Sequence, residues 1–439
     1  MHCGRATGQA AAAAQLRSLN DKRYTAGMRD SAAPTFVGLD IGTSRVRCVV
    51  GTRDASDPTQ ISVIGHGSAV NQGMRKGVVM HIDDAAEAII QAVTEAERIS
   101  GVQIHRATVN VNGAHVTGLN SRGVIAISAG DRQITVEDRE RVEEAATIVK
   151  LPPNREIVQV FAKNYRLDGQ DNLKDPVGMH GVRLEVDCHI VTAATPNVRN
   201  LDLSLEKAQV RPQHHTVSAL AAAEAVLDRK QKEAGTCVID IGAGTTNLSV
   251  IEDGEIQHVA VIPMGGTHIT NDLAIGLKTD LDVAEAVKVK FARLGDDTDK
   301  PLRVTVDDAS HNFSGRLVNM IVEARVDELL EFVEKELQRI HKARKLPGGV
   351  VITGGTAALP GLAEFARDKL QLPARVGRVR GLAGLVDTVD TPGFATAAGL
   401  MLLDILLTPY TANDQAVSGQ MLGGNIAGTI GKLLGRFKG

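Results

Sequence analysis

Apolar positions along this chain fall into two kinds of run: short blocks with strand character, and longer stretches where they recur at helical spacing. Three short blocks end in glycine. Val37–Asp40 passes through Ile41, Gly42, Thr43 and Ser44 and resumes as Val46–Val50. Thr236–Asp240 passes through Ile41's counterpart Ile241, then Gly242, Gly244, Thr245 and Thr246, and resumes with Leu248 and Val250 alternating. Both read as β-hairpins whose first strand closes on an acid. The third block, Val350–Thr353, is a buried strand running into Gly354 and Gly355. Further strands are expected at 61–64, 107–111, 123–127, 157–160, 181–192, 256–262 and 376–379. Helical spacing predicts a helix over 83–100, with Ile82, Ala86, Ile89, Ile90 and Val93 as its buried stripe. Thr135 and Asp138 cap a second helix that runs to about Lys150 and is stopped by Pro152 and Pro153. More are expected at 198–209, 216–227 (alanine-rich), 361–370 and from Thr391 onward. A long one over 311–344 would bury Leu317, Ile321, Leu329, Leu330, Val333, Leu337 and Ile340. Strands interleaved with helices make this an α/β chain.

The hairpin tips carry the chemistry. Gly42, Gly242 and Gly244 permit backbone angles that other residues resist, so successive N–H groups can converge on one anion. Thr43, Ser44, Thr245 and Thr246 add hydroxyls, and Arg45 is either the side-chain cation for the phosphates or a solvent-facing strand residue. Asp40 and Asp240 stand where carboxylates hold a magnesium ion through water. Two copies of one hairpin imply two related half-domains that share a ligand between them. Gly354 and Gly355 would let backbone approach a base or ribose. Glu285 and Lys288, one helical turn apart, form a surface ion pair or, as a resemblance to the bacterial actin relatives implies, a grip on adenosine. Neither loop has a Walker lysine. Three such elements in this order resemble the actin-like ATPase fold, two related lobes around a nucleotide cleft, here with a small inserted α/β subdomain.

Composition narrows the classes. The 439 residues call for several subdomains, and 49 basic against 52 acidic residues exclude bulk nucleic-acid electrostatics. The absence of tryptophan argues against stacking platforms. Cys3, Cys48, Cys188 and Cys237 lie far apart, as reduced thiols rather than a metal or disulfide framework. His214 and His215 lack ligand-spaced partners. Residues 1–33 have no apolar core of a signal peptide and read as a tail, with Met28 as an alternative start.

The C-terminal stretch has its own pattern. Residues 408–424 read as linker. Beyond them Ile426, Ile430, Leu433, Leu434 and Phe437 share one helical face, flanked by Lys432, Arg436 and Lys438 with no acid. That is the pattern of an interfacial membrane helix.

The phosphate loops, the segment Gly73–Val79, the segment Asp175–Leu184, the Ile352–Gly355 turn and the cationic tail together resemble the FtsA family of bacterial cell-division proteins, over about residues 34–439. The resemblance implies ATP with Mg²⁺ between the lobes and self-assembly into filaments on the membrane. It also implies tethering of FtsZ, whose C-terminal peptide would dock on a subdomain at 270–345, and contacts with other division proteins. The expected place is the cytoplasmic face of the inner membrane at the division septum. The expected division is a tail at 1–33, a first lobe at 34–80 and 171–230, an insert at 81–170, a second lobe at 231–407, a linker at 408–424 and the membrane helix at 425–439. In the related MreB a carboxylate opens the helix after the first connection; here Ser218 stands near that place and the nearest acid is Glu224, so slow or negligible hydrolysis is expected, with no catalytic residue assigned. A PilM-like assembly module shares the insert but not the lipid helix. A sugar kinase would need an Asp base for which no candidate stands out, and a heat-shock chaperone a large domain after the ATPase.

Overall fold

The computed structural model describes residues 34–54, 60–128, 130–296 and 299–408. The N-terminal tail, most of the expected linker and the amphipathic segment lie outside the described residues.

Strands β1 (Thr35–Ile41), β2 (Arg45–Arg53) and β3 (Ile61–Val70) form an antiparallel meander. A two-residue turn joins the short strands β4 (Met74–Arg75) and β5 (Val78–Val79). Helix α1 (Ile82–Ser100) then lies flat on β3. The approach is so close that a Cβ on Gly67 would sit 1.9 Å from the Ala92 carbonyl oxygen. The buried stripe of α1 is centred on Ala85, Ala88, Ile89, Ala92 and Ala96, and Ile90, expected inside, is 45% exposed. Strand β6 (Arg106–Val111) returns parallel to β1.

The insert begins only after this. Strands β7 (Thr117–Ala126), β8 (Arg155–Leu167), β9 (Gln170–Leu173) and β10 (Arg183–Ala194) make a separate four-stranded sheet in the order β7-β10-β8-β9. Helix α2 (Val136–Thr147) covers it, and Val142, Ala146, Tyr165, Leu184, Val186 and Ile190 form its core. The expected cap is present: Thr135 Oγ1 accepts from Asp138 N at 3.2 Å, and Asp138 Oδ2 accepts from Thr135 N at 3.1 Å. The expected insert at 81–170 is therefore misplaced at both ends. Its first part, α1 and β6, is packed on or paired with the first lobe's sheet, and β10, expected in the lobe, pairs with both β7 and β8.

Helix α3 (Thr195–Lys207) and strand β11 (Arg211–Val217) complete the first lobe, whose sheet runs β11-β6-β1-β2-β3 with one further strand beyond β3. Helices α4 (Ser218–Val226) and α5 (Arg229–Ala234) lead to the second lobe. There β12 (Thr236–Ile241), β13 (Thr246–Glu252) and β14 (Glu255–Ile262) repeat the meander of β1–β3. Helices α6 (Gly266–Leu277) and α7 (Leu281–Phe291), the hairpin of β15 (Pro301–Val306) and β16 (Ala309–Ser314), and α8 (Gly315–Arg339) follow. The expected helix at 311–344 starts four residues late because 309–314 pair with β15, and Ser314 Oγ caps the helix through Leu317 N at 3.2 Å.

Strands β17 (Val350–Thr353) and β18 (Ala374–Val376), separated by α9 (Leu362–Leu370), finish the second sheet in the order β14-β13-β12-β17-β18. Strand for strand this matches β3-β2-β1-β6-β11, parallel and antiparallel pairs included. The chain then crosses back. Strand β19 (Leu382–Gly384) joins the first sheet beside β3; α10 (Val386–Val389) and α11 (Ala395–Leu407) follow. Helix α11 packs on β1 and α4 at backbone contact: a Cβ on Gly38 would lie 2.1 Å from Ala397 O, and one on Gly399 1.7 Å from Ala221 O. Asp404, buried in α11, accepts from Val37 N at 3.0 Å and Thr108 Oγ1 at 2.6 Å, which pins the helix to the first sheet. Two lobes of one design are thus locked together by helices drawn from either half.

Candidate functional site

The two meanders point their first turns at each other. Both turns close the same way, Gly42 N donating to Arg45 O at 3.1 Å and Gly242 N to Thr245 O at 2.9 Å. Neither Gly42, Gly242 nor Gly244 has a positive φ, contrary to expectation. Glycine is required here for space: a Cβ on Gly244 would lie 2.8 Å from Thr43 Oγ1 and 3.0 Å from Lys76 Cα, across the gap between lobes. Asn112 Nδ2 bridges the same gap, donating to Thr245 Oγ1 at 3.1 Å.

Asp40 and Asp240 occupy equivalent ends of β1 and β12, and both are buried. Burial pushes Asp40 up to about 7, with Arg47 pulling down and the charge of Asp240 pushing further up. Burial also raises Asp240, while Thr396 and Asn247 oppose the rise. The charge of Asp240 is thus felt at Asp40, and Arg47 acts on both. Asn110, at the end of β6, organises the first: its Oδ1 accepts from Ile41 N at 2.7 Å, and its Nδ2 donates to Asp40 Oδ1 at 2.7 Å and Ser218 Oγ at 3.1 Å. The second accepts from Asn247 Nδ2 at 3.3 Å and Thr396 Oγ1 at 3.2 Å. Two hard oxygen ligands facing one gap, each held by neutral donors, fit a magnesium ion whose remaining positions are water.

The second lobe gathers the other expected residues beside Gly242. Its carbonyl accepts from Gly266 N at 2.9 Å and from Thr356 Oγ1 at 3.2 Å. Lys288 Nζ donates to Gly266 O at 3.2 Å and meets Glu285 Oε2 at 2.6 Å, with Thr270 Oγ1 between them 2.8 Å from the amine. Gly354, at φ +88, abuts Asp240: a Cβ there would lie 2.4 Å from Asp240 Oδ1. A Cβ on Gly355 would meet nothing, so that residue borders open space. Gly354, Gly355, Glu285 and Lys288 thus lie on the Gly242 side of the cleft, and Thr43, Gly244 and Thr245 mark its other side.

Three expectations change. Thr246 is fully buried and its hydroxyl donates to Met264 O at 2.8 Å, so it holds the lobe together and does not face the cleft. Ser44 and Arg45 are exposed at the tip, and the guanidinium that answers both carboxylates is Arg47, directly across the hairpin from Asp40. Hairpin register would have found it, since Arg45 and Arg47 share a strand face. Thr396, Asn110 and Asn112 come from distant elements and leave no local signal. A small pocket beside Asn110, lined by Ile41, Met74, Val79, His115 and Leu201, draws on the first half of the chain alone. On α4, the acid Glu224 is held by Lys232 at 2.7 Å, while Ser218 opens the helix beside Asn110. Among the described residues His215 pairs with Asp202, no group of side chains has the makings of a metal cluster, and Cys48, Cys188 and Cys237 are free and buried.

Comparison with known proteins agrees with this geometry. A family model described as cell division protein FtsA matches residues 237–399, and one described as the SHS2 domain inserted in FTSA matches residues 113–192. The cell division protein FtsA of Pseudomonas aeruginosa is 36% identical over 372 residues, 84% of this chain and 88% of that protein. That of Bacillus subtilis is 37% identical over 371 residues, 83% of this chain and 82% of that protein. Among solved structures, a PilM-PilN type IV pilus biogenesis complex aligns at TM-score 0.60 and 18% identity over 85% of this chain and 99% of that one. MreB5 of Spiroplasma citri bound to ADP aligns at TM-score 0.50 and 13% identity over 89% and 99%. These structures share the fold.

Proposed function

The chain belongs to the FtsA family of cell-division proteins, and from that premise we propose that it is an ATP-binding, membrane-tethered filament former that anchors FtsZ at the septum. The observation that carries the reading is the pair of buried carboxylates Asp40 and Asp240 at equivalent ends of two hairpins whose tips meet. Adenosine would lie by Gly354, Gly355, Glu285 and Lys288, and the phosphates between the tips at Gly42, Thr43, Gly242, Gly244 and Thr245. A magnesium ion there would offset the phosphate charge and take the place of the proton that Asp40 holds up to about pH 7. With Ser218 opening α4 and Glu224 tied to Lys232, no acid of that helix is poised to orient water, so nucleotide acts as a clamp with slow turnover.

The tail at 425–439 supplies the membrane contact in this reading. Five apolar side chains incompletely buried in lipid yield roughly 5–8 kcal/mol, and three cations over anionic lipid about 1 kcal/mol each. Ordering some twelve residues costs about 1 kcal/mol or more apiece before helix hydrogen bonds offset part of it. One tail holds weakly; many on a filament hold firmly, because each later contact is intramolecular. The FtsZ C-terminal peptide would dock on the α6–α8 region.

The test has two arms. Fluorescent-nucleotide titration should show magnesium-dependent binding that Asp240→Asn weakens at least tenfold. Flotation with vesicles containing anionic lipid should carry the full chain and leave behind a chain ending at Gly424 that still binds nucleotide. Magnesium-independent binding, or equal flotation of the two chains, would refute the corresponding half.

A further inference from the structure

The segment Gly73–Val79 places a lysine where neither phosphate loop has one. Lys76 and Gly77 are the two central residues of the β4–β5 turn, at φ +51 and +75. Positive φ at both positions defines the hairpin turn that favours Asn-Gly, so a lysine at the first position sits in a conformation that disfavours it. The surrounding contacts fix the turn in place. Gly77 N donates to Thr43 Oγ1 at 2.9 Å, which ties the turn to the tip of the first loop. Lys76 Cα lies against the tip of the second, 3.0 Å from where a Cβ on Gly244 would be. The Lys76 side chain is exposed and has no hydrogen bond or ion pair among the described residues, and its charge reaches His268 at the start of α6 in the opposite lobe.

We propose that Lys76 is the cation that binds the terminal phosphate of a nucleoside triphosphate held between the lobes. The inference rests on the nucleotide reading above and adds a direction to it. Glu285, Lys288 and Thr356 border Gly242, whereas Lys76 stands at Gly244 and Thr43, at the other end of the loops. A ligand with adenosine at the first end points its last phosphate at Lys76. Backbone strain retained at an exposed turn of a cleft is explained when the residue there serves a ligand. Lys76 would act in place of the missing loop lysine, as a mobile point charge contributed by a neighbouring hairpin.

Lys76→Asn separates this role from a structural one, because asparagine suits the turn better than lysine does. Without nucleotide the variant should melt at or above the wild-type temperature. In titrations with fluorescent ADP and a non-hydrolysable ATP analogue, it should keep ADP affinity within about threefold and lose ATP affinity about tenfold or more, as expected for one charge-assisted contact. Lys76→Arg, with charge restored, should recover most of the ATP affinity. Unchanged ATP affinity in Lys76→Asn, or equal losses for ADP and ATP with a lower melting temperature, would overturn the assignment. A wild-type chain that bound neither nucleotide would overturn the cleft reading and this inference with it.

Discussion

Replacing Asp40 by asparagine should stabilise the nucleotide-free protein while disabling it. Burial, with Asp240 adding to it and Arg47 opposing, lifts the Asp40 carboxyl from 3.8 to about 7. At 1.36 kcal/mol per pH unit, the folded state resists ionisation of this group by at most about 4 kcal/mol. The sign follows from proton counts. Between about pH 4 and 7 the folded chain holds a proton that the unfolded chain has lost, so this group's contribution to stability falls as pH rises through that window and levels off above it. Asparagine keeps an oxygen for the 2.7 Å bond from Asn110 Nδ2, and Arg47 keeps the field of Asp240. Part of the gain is lost to the weaker Arg47 environment, which leaves about 1–3 kcal/mol in favour of Asp40→Asn at pH 8 and little difference near pH 5. Urea denaturation followed by circular dichroism across that range would measure both slopes. The same variant should bind magnesium-nucleotide at least tenfold more weakly, and wild-type binding near pH 6.5 should release protons detectable by calorimetry in buffers of different ionisation enthalpy. A variant less stable than wild type at pH 8, or one with the wild-type pH slope, would show that burial does not hold the Asp40 carboxyl above its ordinary range.

Gly244→Ala should push the hairpin tips apart, because its Cβ meets Thr43 Oγ1 at 2.8 Å and the Lys76 backbone at 3.0 Å; nucleotide affinity should fall about tenfold with a stability loss of about 1–3 kcal/mol, and an alanine variant that binds normally would exclude a closed-tip arrangement. Asp404→Ala strips two bonds from the buried backbone of β1 and the hydroxyl of Thr108, and should lower stability by about 2–4 kcal/mol in urea titrations; a loss below 0.5 kcal/mol would mean α11 is held by its apolar face alone.

Much of the architecture was legible because it is written twice. The hairpins ending at Asp40 and Asp240 announce themselves through an apolar strand, an acid and a glycine turn, and the structure places them as equivalents in two matching sheets. The cap at Thr135 and Asp138 and the close ion pair of Glu285 and Lys288 were equally local signals. The insert was misdrawn because alternation marks β10 as a strand without naming its partners; only pairing with β7 and β8 assigns it. The small alanine stripe of α1 conceals how closely it lies on β3, where glycines Gly65 and Gly67 leave room. Within the site, Thr246 looked like a phosphate donor until its hydroxyl was spent on Met264 O, and Thr396 reaches Asp240 from 156 residues away.

The way the lobes are joined decides what the carboxylate pair can do. Ser249 of the second sheet donates to Ala219 O of α4 at 3.1 Å, and Thr396 at the start of α11 reaches Asp240, so each connecting helix touches both lobes. Their crossing at Gly399 and Ala221 is backbone on backbone, with no long side chain to adjust. At the hairpin tips the lobes meet through side chains instead, Asn112 with Thr245 and Thr43 against Gly244. Two like charges drawn together there favour opening once Asp40 has ionised, and a cation or a magnesium-bound ligand between them favours closure. A ligand that bound both carboxylates better in a closed than in an open arrangement would by linkage shift the population toward closure by that difference in affinity. A surface that exists only when the lobes are closed, such as one made jointly by the second lobe and the insert, inherits that bias. In the proposed reading, occupancy of the cleft would thus be enough to govern assembly, and hydrolysis would do no more than end it.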